Sequence, residues 1–195
     1  MKKIAYCLVV LLFSSLLMAQ TSSGTWDSET ATYTNAKHNI TWNLIDELTW
    51  IGRPILTEST LFKVRNDDFH ILIKLGVLQH HGGPEADSWN YLSQYDSKEL
   101  QDLTKAEAKR NGMTFKGITA AKSQLCGIHA IKTKSDMTKY YPEHDATVHC
   151  IEYTYHLFKN KNIYTVSVTA LSVLEEELDN FDRIATMLFN GFNIK

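Results

Sequence analysis

From Ala31 onward, apolar and polar positions follow one another mostly with the two-residue period of half-buried strands. ATYTNAKHNITWNL alternates loosely and is rich in Thr, Ile and Trp, which suit a pleated surface. TLFKV (60–64) and FHILIKLGVL (69–78) flank Asn66-Asp67-Asp68, residues that tolerate left-handed turn conformations, so a β-hairpin is expected. Its second strand places Ile71, Ile73 and Leu75 on one face and Leu72 on the other. QHHGGPEAD then interrupts the pattern with two glycines and a proline. Four more strands are expected after Gly112: MTFKGITAA, SQLCGIHAIKT, ATVHCIEYTYHLF and NIYTVSVTAL, the last two joined by a tight turn at Lys159-Asn160-Lys161-Asn162.

Two stretches change period. Asp96-Ser97-Lys98-Glu99 has the form of a capping box, Leu100, Leu103 and Ala106 or Glu107 fall along one side of a helix, and Asn111-Gly112 is its stop. Glu175-Glu176-Glu177 suit the first turn of a final helix, with Leu174, Leu178, Phe181, Ile184 or Ala185, and Leu188 as its apolar face and Asn190-Gly191 as its end. Short links between successive strands require antiparallel pairing. The expected class is therefore α+β, a central antiparallel β-sheet with packed helices.

The first residues, MKKIAYCLVVLLFSSLLMAQ, have the layout of a secretory signal peptide: two lysines, a short apolar run and a small residue at the cut. Residues 1–19 are read as that leader, 20–30 as a polar lead-in and 31–195 as a single domain; an uncleaved N-terminal anchor is the alternative. Cys7 lies inside the apolar run, so no lipid-modified N-terminal cysteine is offered. An exported protein, periplasmic or extracellular, is expected, with no integral membrane segment after signal cleavage. The 20 basic side chains, Lys2 and Lys3 among them, stand against 22 acidic ones, and no basic stripe points to nucleic acid.

HNITWNL, the hairpin around Asn66-Asp67-Asp68, the helix ending in KRNG, Gly127-Ile128-His129-Ala130, YTYHLFKNKNIYTVSVTA and a last helix opened by three glutamates occur here in an order that resembles the PsbP/Mog-like superfamily. The resemblance runs from about Ala31 to Ile194. It implies an α/β/α sandwich around an antiparallel sheet, and a binding or accessory role without catalysis or cofactor. No catalytic motif carries over, because the superfamily has none in common.

HCIEYTYHLF (149–158) concentrates reactive side chains. On a strand, His149, Ile151, Tyr153, Tyr155 and Leu157 share the more apolar face, and Cys150, Glu152, Thr154, His156 and Phe158 share the other. Glu152 and His156 are then about 13 Å apart, too far to share a metal or a proton. A scaffold role follows. In an oxidising compartment Cys126 and Cys150 form a disulfide if their strands pair about a centre near Thr138; two separate buried thiols are the alternative.

Loops carry the remaining candidates. His80 and His81, near Glu85 and Asp87, are weak metal ligands without a recognised spacing. The loops at 79–90 and 134–146, or one face of the sheet, are the expected recognition surfaces, with His80, His81, Trp89, Tyr140, Tyr141 and His144 as binding residues. Their partner would be a protein or small molecule of the cell envelope. The competing reading is an exported metal-assisted or serine hydrolase using His80, His81, His144 and Asp145, with Ser123 or Ser135 as nucleophile, although no GxSxG elbow is present.

Overall fold

Hairpin after hairpin sets the topology. A computed structural model describes residues 24–53, 59–68, 70–79, 97–174, 178 and 180–195. The strands are β1 (Thr25–Asp27), β2 (Thr32–Asn35), β3 (Ile40–Asn43), β4 (Ile51–Arg53), β5 (Thr60–Asn66), β6 (Ile71–Gln79), β7 (Thr114–Leu125), β8 (Ile128–Tyr141), β9 (Ala146–Lys159), β10 (Asn162–Ser172) and β11 (Phe192–Ile194). The helices among the described residues are α1 (Ser97–Arg110) and α2 (Phe181–Asn190). A large sheet has the order β4-β5-β6-β10-β9-β8-β7 and a small one the order β1-β2-β3-β11. Among the described residues all pairings are antiparallel.

The turn chemistry explains the sharp corners. Asn160 and Lys161 both take positive φ, 51° and 59°, as the two-residue hairpin between β9 and β10 requires. The hairpin expected around Asn66-Asp67-Asp68 joins β5 to β6, with Val64 opposite Ile73.

The expected assignment of faces on β9 holds. Tyr153, Tyr155 and Leu157 are buried and line up with Val168, Val166 and Tyr164 of β10, then with Ile73, Leu75 and Val77 of β6. On this odd-numbered face lies the main core. It is closed by α2, through Phe181, Ala185, Leu188 and Phe189, and by the small sheet, whose Tyr33 stacks on Phe62 with ring centroids 4.3 Å apart. The Trp42 indole donates to the Leu188 carbonyl at 2.8 Å, tying small sheet to helix. Gly191 follows α2 at a point where a Cβ would meet the Asn43 carbonyl oxygen at 1.8 Å, so no larger residue fits there without moving β3.

Several boundaries differ from expectation. MTFKGITAA and the following SQL form one strand, β7, and the corner falls at Cys126-Gly127, with φ of 54° and 74°. The expected loop at 134–146 is mostly strand: β8 continues to Tyr141, leaving Pro142–His144 as a 3-10 turn and Asp145 at φ 46°. Thr25–Asp27, within the expected lead-in, pair with β2 as a strand. On α1 the inward stripe is Leu100, Thr104 and Ala108, whereas Leu103 is 54% exposed. The Thr104 hydroxyl bonds back to the Leu100 carbonyl at 2.8 Å, which lets a polar residue occupy that stripe.

Candidate binding surfaces

The observed register separates the two cysteines. Met137 and Leu171 flank Cys150, and Cys126 sits in the β7–β8 turn at the far end of the same ladder, about 35 Å away by strand rise. Both thiols are free, Cys150 buried and Cys126 exposed. The expected disulfide does not form, because the β8–β9 corner lies at 142–145 and not near Thr138, which slides the two strands past the proposed pairing. Burial, with help from the Glu152 and Asp136 charges, pushes the Cys150 thiol up to about 12, so it is no nucleophile at neutral pH.

Of the expected binding residues, Tyr140, Tyr141 and His144 come together at the 142–145 end of the large sheet. His80, His81 and Trp89, with Glu85 and Asp87, lie outside the described residues. At the hairpin tip the Tyr140 hydroxyl donates to the Asp145 carboxylate at 2.8 Å, which raises the phenol above its ordinary range. Lys139 sits over the Tyr141 ring at 4.8 Å. Register puts Tyr140 on the odd face and Tyr141 on the even one, so the tip shows an aromatic ring on each side. Tyr140 is 56% exposed.

Three apolar residues not anticipated as a surface join them at the same end. Leu171, Val173 and Leu174 are all exposed, and Leu171 is opposite Cys150 on β10, about 15 Å from Tyr140 by strand spacing. Leu174 was expected on the apolar face of the last helix; that helix starts instead at Phe181. The run ALSVL, more apolar than an alternating edge needs, is the signal that marks this patch.

The serine arrangement does not assemble. Ser135 is buried six positions before the end of β8, about 20 Å from the turn that carries His144, and Ser123 on β7 is farther away. Among the described residues no three His, Cys, Asp or Glu side chains are grouped to hold a metal.

The even face of the large sheet is built differently from the odd one. Its centre is a tier of hydroxyls, Thr133, Ser135, Thr154, Ser167 and Thr169, all buried. Thr154 and Ser167 exchange a bond at 2.8 Å across the strands, and Thr169 donates to Glu152 at 3.1 Å. Burial raises the Glu152 carboxyl, the nearby Glu107 of α1 adds to this, and the hydroxyls and Lys74 oppose it. His156, one step farther along, is pushed down to about 4 by burial. HCIEYTYHLF is thus scaffold on both faces: its Cys, Glu and second His belong to the hydroxyl side and reach no common centre.

No protein-family model and no curated protein sequence matches the chain. Among solved structures, the cyanobacterial PsbP protein CyanoP of Synechocystis sp. PCC 6803 superposes with a TM-score of 0.52 at 8% identity, covering 89% of this chain and 94% of that one. The chain has a PsbP-like fold. LpqN of Mycobacterium tuberculosis, involved in cell envelope biogenesis, superposes less closely, with a TM-score of 0.46 at 13% identity over 80% of this chain and 83% of that one. The Saccharomyces cerevisiae Ran-binding protein Mog1p does so with 0.44 at 10% identity over 82% and 92%. At 8% identity the likeness to CyanoP is one of architecture.

Proposed function

We propose that the protein is an exported, non-catalytic binding or accessory domain that docks a protein of the cell envelope at the 142–145 end of its large sheet. The leader-like residues 1–19 support export, to the periplasm or beyond, with the folded domain following. The PsbP/Mog-like architecture supports a scaffold, and we extend it to α/β/α layering: α2 covers the odd face while Glu107 of α1 approaches Glu152 from the even one. Among the described residues no helix is long and apolar enough to cross a membrane.

One observation carries the proposal. Tyr140, Leu171, Val173 and Leu174, four of the large apolar side chains that stay exposed, collect at one end of the sheet beside Tyr141 and His144. Exposed tyrosine and aliphatic groups of this kind are the composition of protein-binding surfaces. The test compares envelope complexes of the native protein with those of a Tyr140→Ser/Val173→Ser double variant after cross-linking. A partner retained by the native chain and lost by the variant, at unchanged melting temperature, is the expected result; identical cross-links from both would refute the reading. Exposed positions of this kind change stability by no more than about 0.5 kcal/mol.

A further inference from the structure

Of the four strands that end a sheet, three are short and one is long. β1, β4 and β11 have 3 residues each, whereas β7, the last strand of the large sheet, has 12. Short edges are one way folded chains avoid taking up further strands, so a long open one asks for a reason. Four successive residues of β7, Thr119, Ala120, Ala121 and Lys122, are exposed. Successive side chains of a strand take opposite faces, so both faces of this edge are open to solvent here.

The turn after β7 decides which backbone groups point outward. Cys126 and Gly127 both have positive φ, 54° and 74°, the two-residue form in which the closing pair, Leu125 and Ile128, exchanges both hydrogen bonds. Bonded pairs alternate along an antiparallel ladder, so Leu125, Ser123, Ala121, Thr119 and Gly117 aim their N–H and C=O groups at β8. Ile118, Ala120 and Gln124 aim theirs at the open edge, where among the described residues no backbone group meets them. A bulge between Phe115 and Gly117 ends the regular pairing on the other side, leaving the run Gly117–Leu125.

We propose that β7 pairs antiparallel with β7 of a second copy of this chain, about a two-fold axis through Ala121, so that two large sheets become one. The run Gly117–Leu125 is centred on Ala121, and this register engages all of it: Ile118 lies opposite Gln124 of the copy, Thr119 opposite Ser123, and Ala120 opposite Lys122. An axis at Lys122 would set that lysine against itself, and one at Thr119 would set Lys116 against Lys122, so charge opposes both shifts. An axis at Ala120 would set Gln124 and Leu125 against the bulge. A foreign strand is normally selected by pockets for its alternate side chains. Thr119, Ala120 and Ala121 are too small to form such pockets, whereas symmetry fixes a register without them. The run is well short of the roughly 20–30 residues a side of a standard interface, so the dimer is a weak one.

Sedimentation equilibrium of the native protein, from micromolar to millimolar concentration, should show monomers in exchange with dimers. Ala120→Pro removes an N–H that points outward, which an edge strand tolerates, and should weaken association about tenfold or more with the β8 ladder intact. Ala121→Glu should do so by another route, since its carboxylates meet across the axis while within one chain the new side chain lies opposite Lys132. In a Cys126→Ser background, Ala121→Cys should form an intermolecular disulfide on oxidation, because facing residues of a non-bonded pair stand about 4.5 Å apart at Cα. Thr119→Cys should not, its own copy lying about 13 Å away along the strand. A native protein that is monomeric throughout, association undiminished by Ala120→Pro and Ala121→Glu, equal cross-linking of the two cysteine variants, or a dimer dissolved by Tyr140→Ser/Val173→Ser would each overturn the proposal. So would loss of an envelope cross-link in Ala120→Pro while the native protein stays monomeric, which would assign the edge to a foreign strand.

Discussion

The two faces of the large sheet come from the same strands and obey different rules. On the odd face Leu157, Val166, Val168, Ile73 and Leu75 are almost wholly excluded from water and touch one another directly. On the even face, one residue away along each strand, comparable burial falls on Thr154, Ser167, Thr169, Thr133 and Ser135. The first face stabilises by removing apolar area from water. Hydroxyls gain little net from bonds they could also make to water, and lose much if left unpaired. The even face therefore specifies how strands align more than it adds to stability, and among the described residues no buried side-chain polar atom lacks a partner.

Truncation on the odd face should show the contrast most strongly. Leu157→Ala is expected to cost about 2–5 kcal/mol in urea unfolding, because a fully buried side chain leaves a void that rigid neighbours cannot fill. If the loss were no larger than that of an even-face hydroxyl, the division between the faces would fail.

His156 comes next. Its folded value of about 4 lies below the ordinary histidine range, so the folded state resists protonation. Stability is fully present above about pH 6.5 and lost as pH falls toward 4, by about 3 kcal/mol in all. His156→Leu should remove that decline, as read from urea midpoints across pH 4 to 7. Thr169→Val should cost about 1 kcal/mol, the worth of one hydrogen bond, with the Glu152 carboxyl then deprived of a donor.

Glu152 provides the finest test because its sign is opposite. Its carboxyl is raised, so its contribution is intact below the ordinary glutamate value and fades as pH rises through the folded one. Glu152→Gln should remove this fading and leave stability rising more steeply with pH than in the native protein. The effect should be the smallest of the set, since Thr169, Thr154 and Lys74 already offset part of the burial.

Residues that carry strong local chemistry were readable in advance. Asn160 marked its corner because asparagine accepts positive φ more readily than most side chains, the first hairpin was marked by its polar Asn66-Asp67-Asp68 run although the positive φ falls at His70, and the odd face of β9 announced itself by size. The continuation of β8 was hidden for the opposite reason. KTKSDMTKYY carries its buried positions as Thr133, Ser135 and Thr138, while Lys132 and Lys134 lie over tyrosine rings, so a strand that is well ordered shows no hydrophobic stripe. That misreading moved the expected corner and with it the cysteine pairing. Leu103 misled in another way: helical spacing tells which residues share a side, not which side meets the sheet.

β11 has a temporal consequence. Phe192, Asn193 and Ile194 form the last strand, yet they pair with Trp42, Thr41 and Ile40 near the beginning, and Phe192 packs against the Trp42 ring at 5.3 Å. While a ribosome is still making the chain, the small sheet lacks its fourth member and the space beside Trp42 stays open. Completion waits for Phe192–Ile194, so β3 acquires its second neighbour only after every strand of the large sheet has been made.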